Sequence, residues 1–84
     1  MKKELDKFLV YLNVQKGYSP HTVDSYKLDL VKFSSFCRDK GIQDIKDVTE
    51  ETITGFIYFL KNQNLSSRTI SRKISSIRSW WKYL

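Results

Sequence analysis

The spacing of apolar residues along the chain predicts four helices and no strand. Leu5, Phe8, Leu9 and Leu12 recur every three or four residues, which is typical of one face of a helix, and Gly17 suits the left-handed turn that ends it. The same period gives the inward positions of the other three helices: Val23, Tyr26, Leu30, Phe33 and Cys37; Ile53, Phe56, Ile57 and Leu60; and Ile70, Ile74, Ile77, Trp81 and Leu84. We therefore expect an all-α protein, folded as a compact bundle of four helices.

Residues that favour helix starts lie where these patterns begin. Ser19 can cap free backbone N–H groups, and Pro20 follows it at the first helical position, where its missing N–H costs nothing. Thr49 is a similar cap for the third helix, which opens with two glutamates. The fourth helix is expected to start at Ser66 or Ser67, and Gly41 is expected to end the second.

The positive charge is confined to the C-terminal part of the chain. Residues 1–60 hold nine basic and nine acidic side chains, whereas residues 61–84 hold six basic and no acidic ones, so the last segment carries the whole net charge of +6. A segment whose charged side chains are all basic attracts polyanions, namely nucleic acid, an anionic membrane surface or an acidic protein. Composition alone does not choose among these three partners.

The fourth predicted helix has a polar face that suits DNA. At 100° per residue, one side holds Arg68, Ser71, Arg72, Ser75, Ser79 and Lys82 within about 60° of Arg68. Short serines allow the helix backbone to approach a partner closely, while arginines reach sideways to phosphates, as a helix in the major groove requires. The alternative is an ordinary solvated face.

A membrane-surface helix is disfavoured because the apolar stripe is needed for the core. Trp81 belongs to that stripe and Trp80 flanks it, which favours packing over base stacking.

The second predicted helix presents a further polar face opposite its core side. His21, Ser25, Leu28 and Lys32 share it, and Leu28 is suited to contact a thymine methyl group. His21 fits equally well as a solvent-facing residue of the first turn. With one histidine and one cysteine in the chain, we expect no metal, no disulfide and no cofactor, and Cys37 is interpreted as a small buried hydrophobe.

The longest apolar run, FIYFL, is far too short to span a membrane, and the charged N-terminus is unlike a signal peptide. We therefore expect a soluble cytoplasmic protein.

Three segments of the chain resemble a known family. They are GYSPHTVDSYKLDLVKFSSFC, VTEETITGFIYFL and SSRTISRKISSIRSWWKYL. Their order and spacing resemble the N-terminal core-binding domain of tyrosine recombinases of the phage-integrase and Xer type. The resemblance is strongest at Ser19, Thr22 and Tyr26, followed by Asp29, Leu30 and Phe33, and in the segment from Arg68 to Arg78.

The resemblance implies a SAM-like helical bundle that forms half of a clamp around DNA, with the second and fourth helices across the major groove. Thr69 falls at a position where family members place a phosphate-contacting hydroxyl, and Asp24 departs from the pattern because a carboxylate repels phosphate. The resulting candidates for DNA binding are His21, Thr22, Ser25, Leu28, Lys32, Arg68, Thr69, Ser71, Arg72, Ser75 and Ser79.

In this family catalysis resides in a separate C-terminal domain, whose tyrosine attacks a phosphodiester, and none of its catalytic residues maps here. The resemblance thus implies that residues 1–84 are a single DNA-binding domain excised from a longer recombinase and have no enzymatic activity themselves. The implied partners are double-stranded DNA, the catalytic domain of the same chain and sister protomers in a DNA-assembled tetramer, with no membrane. Two alternatives stay open: a stand-alone DNA-binding protein and a helical protein-interaction module.

Overall fold

Helices account for all the regular structure of the protein. The computed structural model describes residues 1–84 and contains, in order, α1 (Lys2–Val14), α2 (Pro20–Asp39), a single 3-10 turn (Ile45–Asp47), α3 (Glu50–Asn62) and α4 (Ser67–Tyr83). The predicted all-α fold of four helices without strands is confirmed, and the sequence pattern missed only the short 3-10 turn. None of the helices combines the length and apolar character needed to cross a membrane.

The predicted caps start three of the helices. The Ser19 hydroxyl accepts a hydrogen bond from the Thr22 backbone N–H at 3.2 Å, and Ser66 caps α4 in the same way. At α3 the bonds are reciprocal, because Thr49 Oγ1 accepts from Thr52 N at 3.3 Å and Thr52 Oγ1 accepts from Thr49 N at 3.2 Å. Each cap satisfies N–H groups that have no partner within the helix. The predicted helix starts are therefore confirmed.

Left-handed residues mark the turns between helices. Gly17 has a φ of +66° and Gly41 a φ of +81°, as expected from their positions just beyond α1 and α2. Asn64, at φ 60°, performs the same function between α3 and α4. Asparagine tolerates this conformation better than most residues with a side chain, so the chain reverses there without a glycine.

A single apolar core lies between the four helices. Its buried members are Leu5, Phe8, Leu12, Leu30, Phe33, Phe36, Cys37, Ile45, Val48, Ile53, Phe56, Leu60, Ile70, Ile77 and Trp80. Phe56 of α3 contacts two phenylalanines of α2, with ring centroids 5.1 Å from Phe33 and 5.2 Å from Phe36. Ile45 of the 3-10 turn is also fully buried, so the connection between α2 and α3 forms part of the core.

Helix α4 is rotated relative to the prediction. Trp80 is fully buried, whereas Trp81 and Ile74 are only half-buried and Leu84 is 51% exposed. The prediction that Trp81 belongs to the core and Trp80 flanks it is thus wrong, and so is the inward position of Leu84. The buried residues of α4 are Ile70, Lys73, Ser76, Ile77 and Trp80, a stripe centred about 60° from the predicted one.

The rotation has a physical cause. Counting apolar residues leaves out Lys73 and Ser76, which turn inward because a buried carboxylate, Asp29 of α2, accepts their hydrogen bonds. Turning α4 toward α2 carries Trp80 into the core and moves Trp81 toward solvent. A buried polar group therefore determines which of two adjacent tryptophans is enclosed.

The two tryptophans provide a test of this rotation. We expect Trp80→Ala to lower the free energy of unfolding by about 3–5 kcal/mol, because it empties a fully enclosed site. Trp81→Ala should cost clearly less, since its ring already contacts solvent. Chemical denaturation of both variants measures the difference, and a larger loss for Trp81→Ala would show that α4 has the rotation predicted from its apolar residues.

Candidate nucleic-acid interface

The solvent-facing side of α4 carries hydroxyl and cationic groups only. Arg68, Ser71, Ser75 and Ser79 are all exposed, and Lys82 extends the face to the last turn of the helix. The helix contains no acidic residue. The serines lie in a row between the cations, so the backbone of α4 is accessible along this side.

On α2 the predicted contact residues differ in exposure. His21 and Leu28 are exposed, Leu28 by 72%, while Ser25 and Lys32 are half-buried. The Ser25 hydroxyl donates to the backbone carbonyl of His21 at 3.3 Å, a common arrangement within a helix that leaves its oxygen free to accept a further bond. An exposed leucine among polar residues remains available to an apolar partner group.

A cleft between α2 and α4 brings several of the predicted residues together. It has a volume of about 250 Å³ and is lined by His21, Thr22, Ser25, Tyr26, Asp29, Arg72, Ser75 and Ser76. Five DNA-binding candidates from two helices therefore share one cavity. Ser75 also borders a groove between α3 and α4, together with Ser71, so it lies on the ridge between the two depressions. Leu28, Lys32, Arg68, Thr69 and Ser79 lie outside this cleft.

Both of the predicted threonine contacts also belong to helix caps. Ser19 Oγ donates to Thr22 Oγ1 at 3.1 Å, and Ser66 Oγ donates to Thr69 Oγ1 at 3.0 Å. Both threonines are half-buried. Because each threonine hydroxyl accepts in these pairs, its own proton stays free for an acceptor such as a phosphate oxygen.

Asp24, the acidic residue beside this surface, is exposed and forms no ion pair with Lys27. The structure therefore does not neutralise the Asp24 carboxylate through its neighbour Lys27.

The floor of the cleft is a buried ion cluster that the pattern of apolar residues did not predict. Asp29, whose side chain is 1% exposed, accepts through Oδ1 from Arg72 at 3.1 Å and from Lys73 Nζ at 3.0 Å. Its Oδ2 accepts from the Ser76 hydroxyl at 3.0 Å. The three donors occupy one turn of α4, so a single carboxylate of α2 holds that turn in place.

The hydrogen bonds keep Asp29 ionised. Burial alone would raise the pKa of this carboxyl, but the bonds from Lys73, Arg72 and Ser76 outweigh burial and lower the pKa below its ordinary value. Breaking a buried pair by removing one partner typically costs about 3–5 kcal/mol, because the other charge stays enclosed without compensation. The cluster therefore strongly favours this one arrangement of the two helices.

Ion pairing reduces the number of free cations on the basic segment. Arg72 and Lys73 are bound to Asp29, and Arg78 forms two hydrogen bonds with Glu50 of α3, at 3.0 and 3.2 Å. The Arg78 guanidinium lowers the pKa of the Glu50 carboxyl.

Of the six basic residues between positions 61 and 84, only Lys61, Arg68 and Lys82 make no ion pair. Arg72, which the sequence predicted to reach a phosphate, is therefore paired with a carboxylate in the structure.

The sequence contained a weak signal for the buried cluster. In helical projection Asp29 lies at the edge of the apolar stripe of α2, and Lys73 at the edge of that of α4. Opposite charges at the edges of two apolar stripes are suited to meet when the stripes pack. Hydrophobic periodicity ignores this information because it treats every charged residue as outward.

The arrangement can be compared with known proteins. Residues 5–84 match the family described as phage integrase, N-terminal SAM-like domain. This chain belongs to that family. The predicted resemblance and the SAM-like fold class are both confirmed.

Curated relatives of this phage-integrase domain are tyrosine recombinases. The chain is 41% identical over 80 residues to tyrosine recombinase XerC of Oceanobacillus iheyensis, covering 95% of this chain and 26% of the relative. It is 40% identical over 81 residues to XerD of the same organism, with coverage of 95% and 27%. XerC of Herpetosiphon aurantiacus is 31% identical over 84 residues, covering 100% of this chain and 28% of the relative. The chain thus spans about a quarter of the length of these relatives. No solved structure matches the chain.

Acidification tests the buried cluster. Because the pKa of Asp29 is lower in the folded than in the unfolded chain, its stabilising contribution is complete above the ordinary value of 3.8 and is lost as pH falls through the folded-state pKa. We expect the free energy of unfolding to fall more steeply below about pH 4 in the wild type than in Asp29→Asn/Lys73→Met, which removes both buried charges. Denaturation at several pH values measures these slopes, and equal slopes would show that the cluster does not hold an ionised Asp29.

Proposed function

We propose that this chain is a DNA-binding module of a tyrosine recombinase and that it contacts duplex DNA through α2 and α4. One observation carries this proposal: α4 presents a continuous exposed face of serines and cations, without any acidic residue, next to the N-terminal half of α2. Membership in the phage-integrase domain family and similarity to tyrosine recombinases support it.

The shape of this surface is compatible with the major groove of DNA. Serine side chains are short, so the backbone of α4 can approach the bases while Arg68 and Lys82 reach the phosphates on either side. The cleft between the helices supplies hydroxyl groups and the Arg72 guanidinium for a further phosphate. Leu28, on the exposed side of α2, offers an apolar contact for a thymine methyl group.

The residues proposed to contact DNA are those predicted from the sequence: His21, Thr22, Ser25, Leu28, Lys32, Arg68, Thr69, Ser71, Arg72, Ser75 and Ser79. We add Lys82, because it is exposed, lies on the same face of α4 and makes no ion pair. Arg72 has a double role, since it also binds Asp29.

The role of this module within a whole protein follows from the relatives. Because the chain covers about a quarter of each, we propose that strand breakage and rejoining belong to the remainder of such a protein, and that residues 1–84 bind DNA without catalysing a reaction. The proposed partners are duplex DNA, a catalytic domain of the same protein and further recombinase protomers assembled on the DNA. No cofactor is needed for this binding function.

Arg68→Ala tests the proposed surface. Arg68 is exposed and forms no ion pair, so the substitution should weaken binding to a duplex while changing stability by less than about 0.5 kcal/mol. Lys3→Ala is the matched control, because it also removes one exposed cation but lies on α1. Fluorescence anisotropy with a labelled duplex measures both variants. Equal loss of affinity in the two would show that overall charge, and not the α4 face, determines binding.

Ser75→Glu tests close approach to the same face. Ser75 is exposed on the ridge between the two depressions, so a glutamate there places a bulky anion where close approach of the DNA is expected. We expect a greater loss of DNA affinity than with Arg68→Ala, and a control substitution, Ser75→Gln, should separate bulk from charge. Unchanged affinity in Ser75→Glu would contradict docking by α4 and favour a solvated face or an acidic protein partner.

Salt dependence tests the electrostatic part of the proposal. Three of the proposed contact residues, Lys32, Arg68 and Lys82, make no ion pair, and release of Arg72 from Asp29 would add a fourth cation. Neutralising about four phosphates gives a slope of log affinity against log salt concentration near −3.6. Titrations at several salt concentrations measure the slope, and an affinity that does not change with salt would contradict this mode of binding.

A further inference from the structure

Arg72 differs from the other two donors of the Asp29 cluster. Its side chain is 60% exposed, whereas that of Lys73 is 10% exposed and Ser76 is buried. Lys73 binds the same carboxylate oxygen as Arg72, and Ser76 binds the other oxygen. Both oxygens of Asp29 would therefore keep a hydrogen-bond donor if Arg72 moved away.

The charges of the cluster also do not cancel. One carboxylate faces two cations, so the cluster has an excess positive charge at the floor of the cleft. The other polar groups that line the cleft are hydroxyls and the ring of His21, with no second carboxylate. A phosphate entering the cleft would meet the excess charge and an arginine that can reach it.

We propose that Asp29 is a positioning residue that holds Arg72 beside the cleft and releases it to a phosphate of the DNA backbone. Lys73 makes the release possible, because it keeps the buried carboxylate neutralised after Arg72 has left. The proposal rests on the DNA-binding function proposed above and adds a defined event to it, the exchange of one Arg–carboxylate pair for an Arg–phosphate pair. Both pairs are charge-assisted hydrogen bonds, so Arg72 loses one strong interaction and gains another of the same kind.

The mechanism gives Lys73 an effect on DNA binding although it is too buried to contact DNA. Without Lys73, Arg72 would be the only cation on Asp29, and its release would leave a buried charge uncompensated. Arg72 would then stay on Asp29, and one phosphate contact would be lost. Removing the carboxylate as well should free Arg72 again.

Two variants separate this mechanism from a general loss of stability. Lys73→Met is expected to weaken duplex binding and to reduce the salt slope by about 0.9, the contribution of one phosphate. Asp29→Asn/Lys73→Met removes both buried charges, and we expect its affinity and slope to return to the wild-type values. Thermal unfolding is recorded first, and binding is then measured where all variants are folded. A purely structural role of the cluster predicts that the double variant binds no better than Lys73→Met.

Two further variants separate the mechanism from net charge. Lys73→Met, Arg72→Ala and Lys3→Ala carry the same formal charge, but only the first two should weaken duplex binding, and to the same extent. Adding Asp29→Asn/Lys73→Met to Arg72→Ala should change nothing further, because the residue that makes the contact is gone and no buried charge is left without a partner. If Lys3→Ala weakens binding as much as Lys73→Met, affinity follows net charge and the proposal is wrong.

A direct measurement on the wild type completes the test. In NMR spectra recorded with increasing duplex, the guanidinium signals of Arg72 should shift strongly, while the Nζ signal of Lys73 should remain that of a group bound to Asp29. Wild-type binding together with unchanged Arg72 signals would overturn the release of Arg72 and leave the proposed DNA-binding function standing. Absence of any duplex binding would overturn that function itself.

Discussion

A carboxylate enclosed between two helices needs both its charge and its lone pairs satisfied, and in this bundle Asp29 imposes that requirement on α4. Three donors within one turn of α4 meet the requirement only at one rotation and one height of the helix. The rotation in turn decides that Trp80 is enclosed and that the serine row faces outward. Apolar packing alone would permit neighbouring rotations, because α4 also carries half-buried Ile74 and Trp81 beside its core residues.

The sequence predicted the helices well because their starts and ends depend on local chemistry. Ser19 and Thr49 cap helices through bonds that span only three residues, and Gly17 adopts a left-handed conformation that glycine reaches at no steric cost. Such features are readable from a short segment. The inward face of α2 was also largely predicted, with Leu30, Phe33 and Cys37 fully buried.

The rotation of α4 was not predicted because its cause is distant in the chain. Asp29 and Lys73 are 44 residues apart, and neither residue by itself indicates burial. The same limit affected the candidate site: Arg72 was expected to be free, but its charge is shared with a partner on another helix. Charges that pair across a fold cannot be counted as a surface property from sequence alone.

The serine-rich composition of α4 has a consequence for how the surface comes into existence. Five of its 17 residues are serine, a weak helix former, and the helix is cationic throughout, so its own sequence favours the helical state only slightly. Its shape is therefore provided by α2 and the core, and a peptide of this segment alone would lack both the helix and its orientation. Any polyanion that recognises the ordered face binds the folded bundle in preference to the unfolded chain, and so raises the melting temperature of all four helices through mass action.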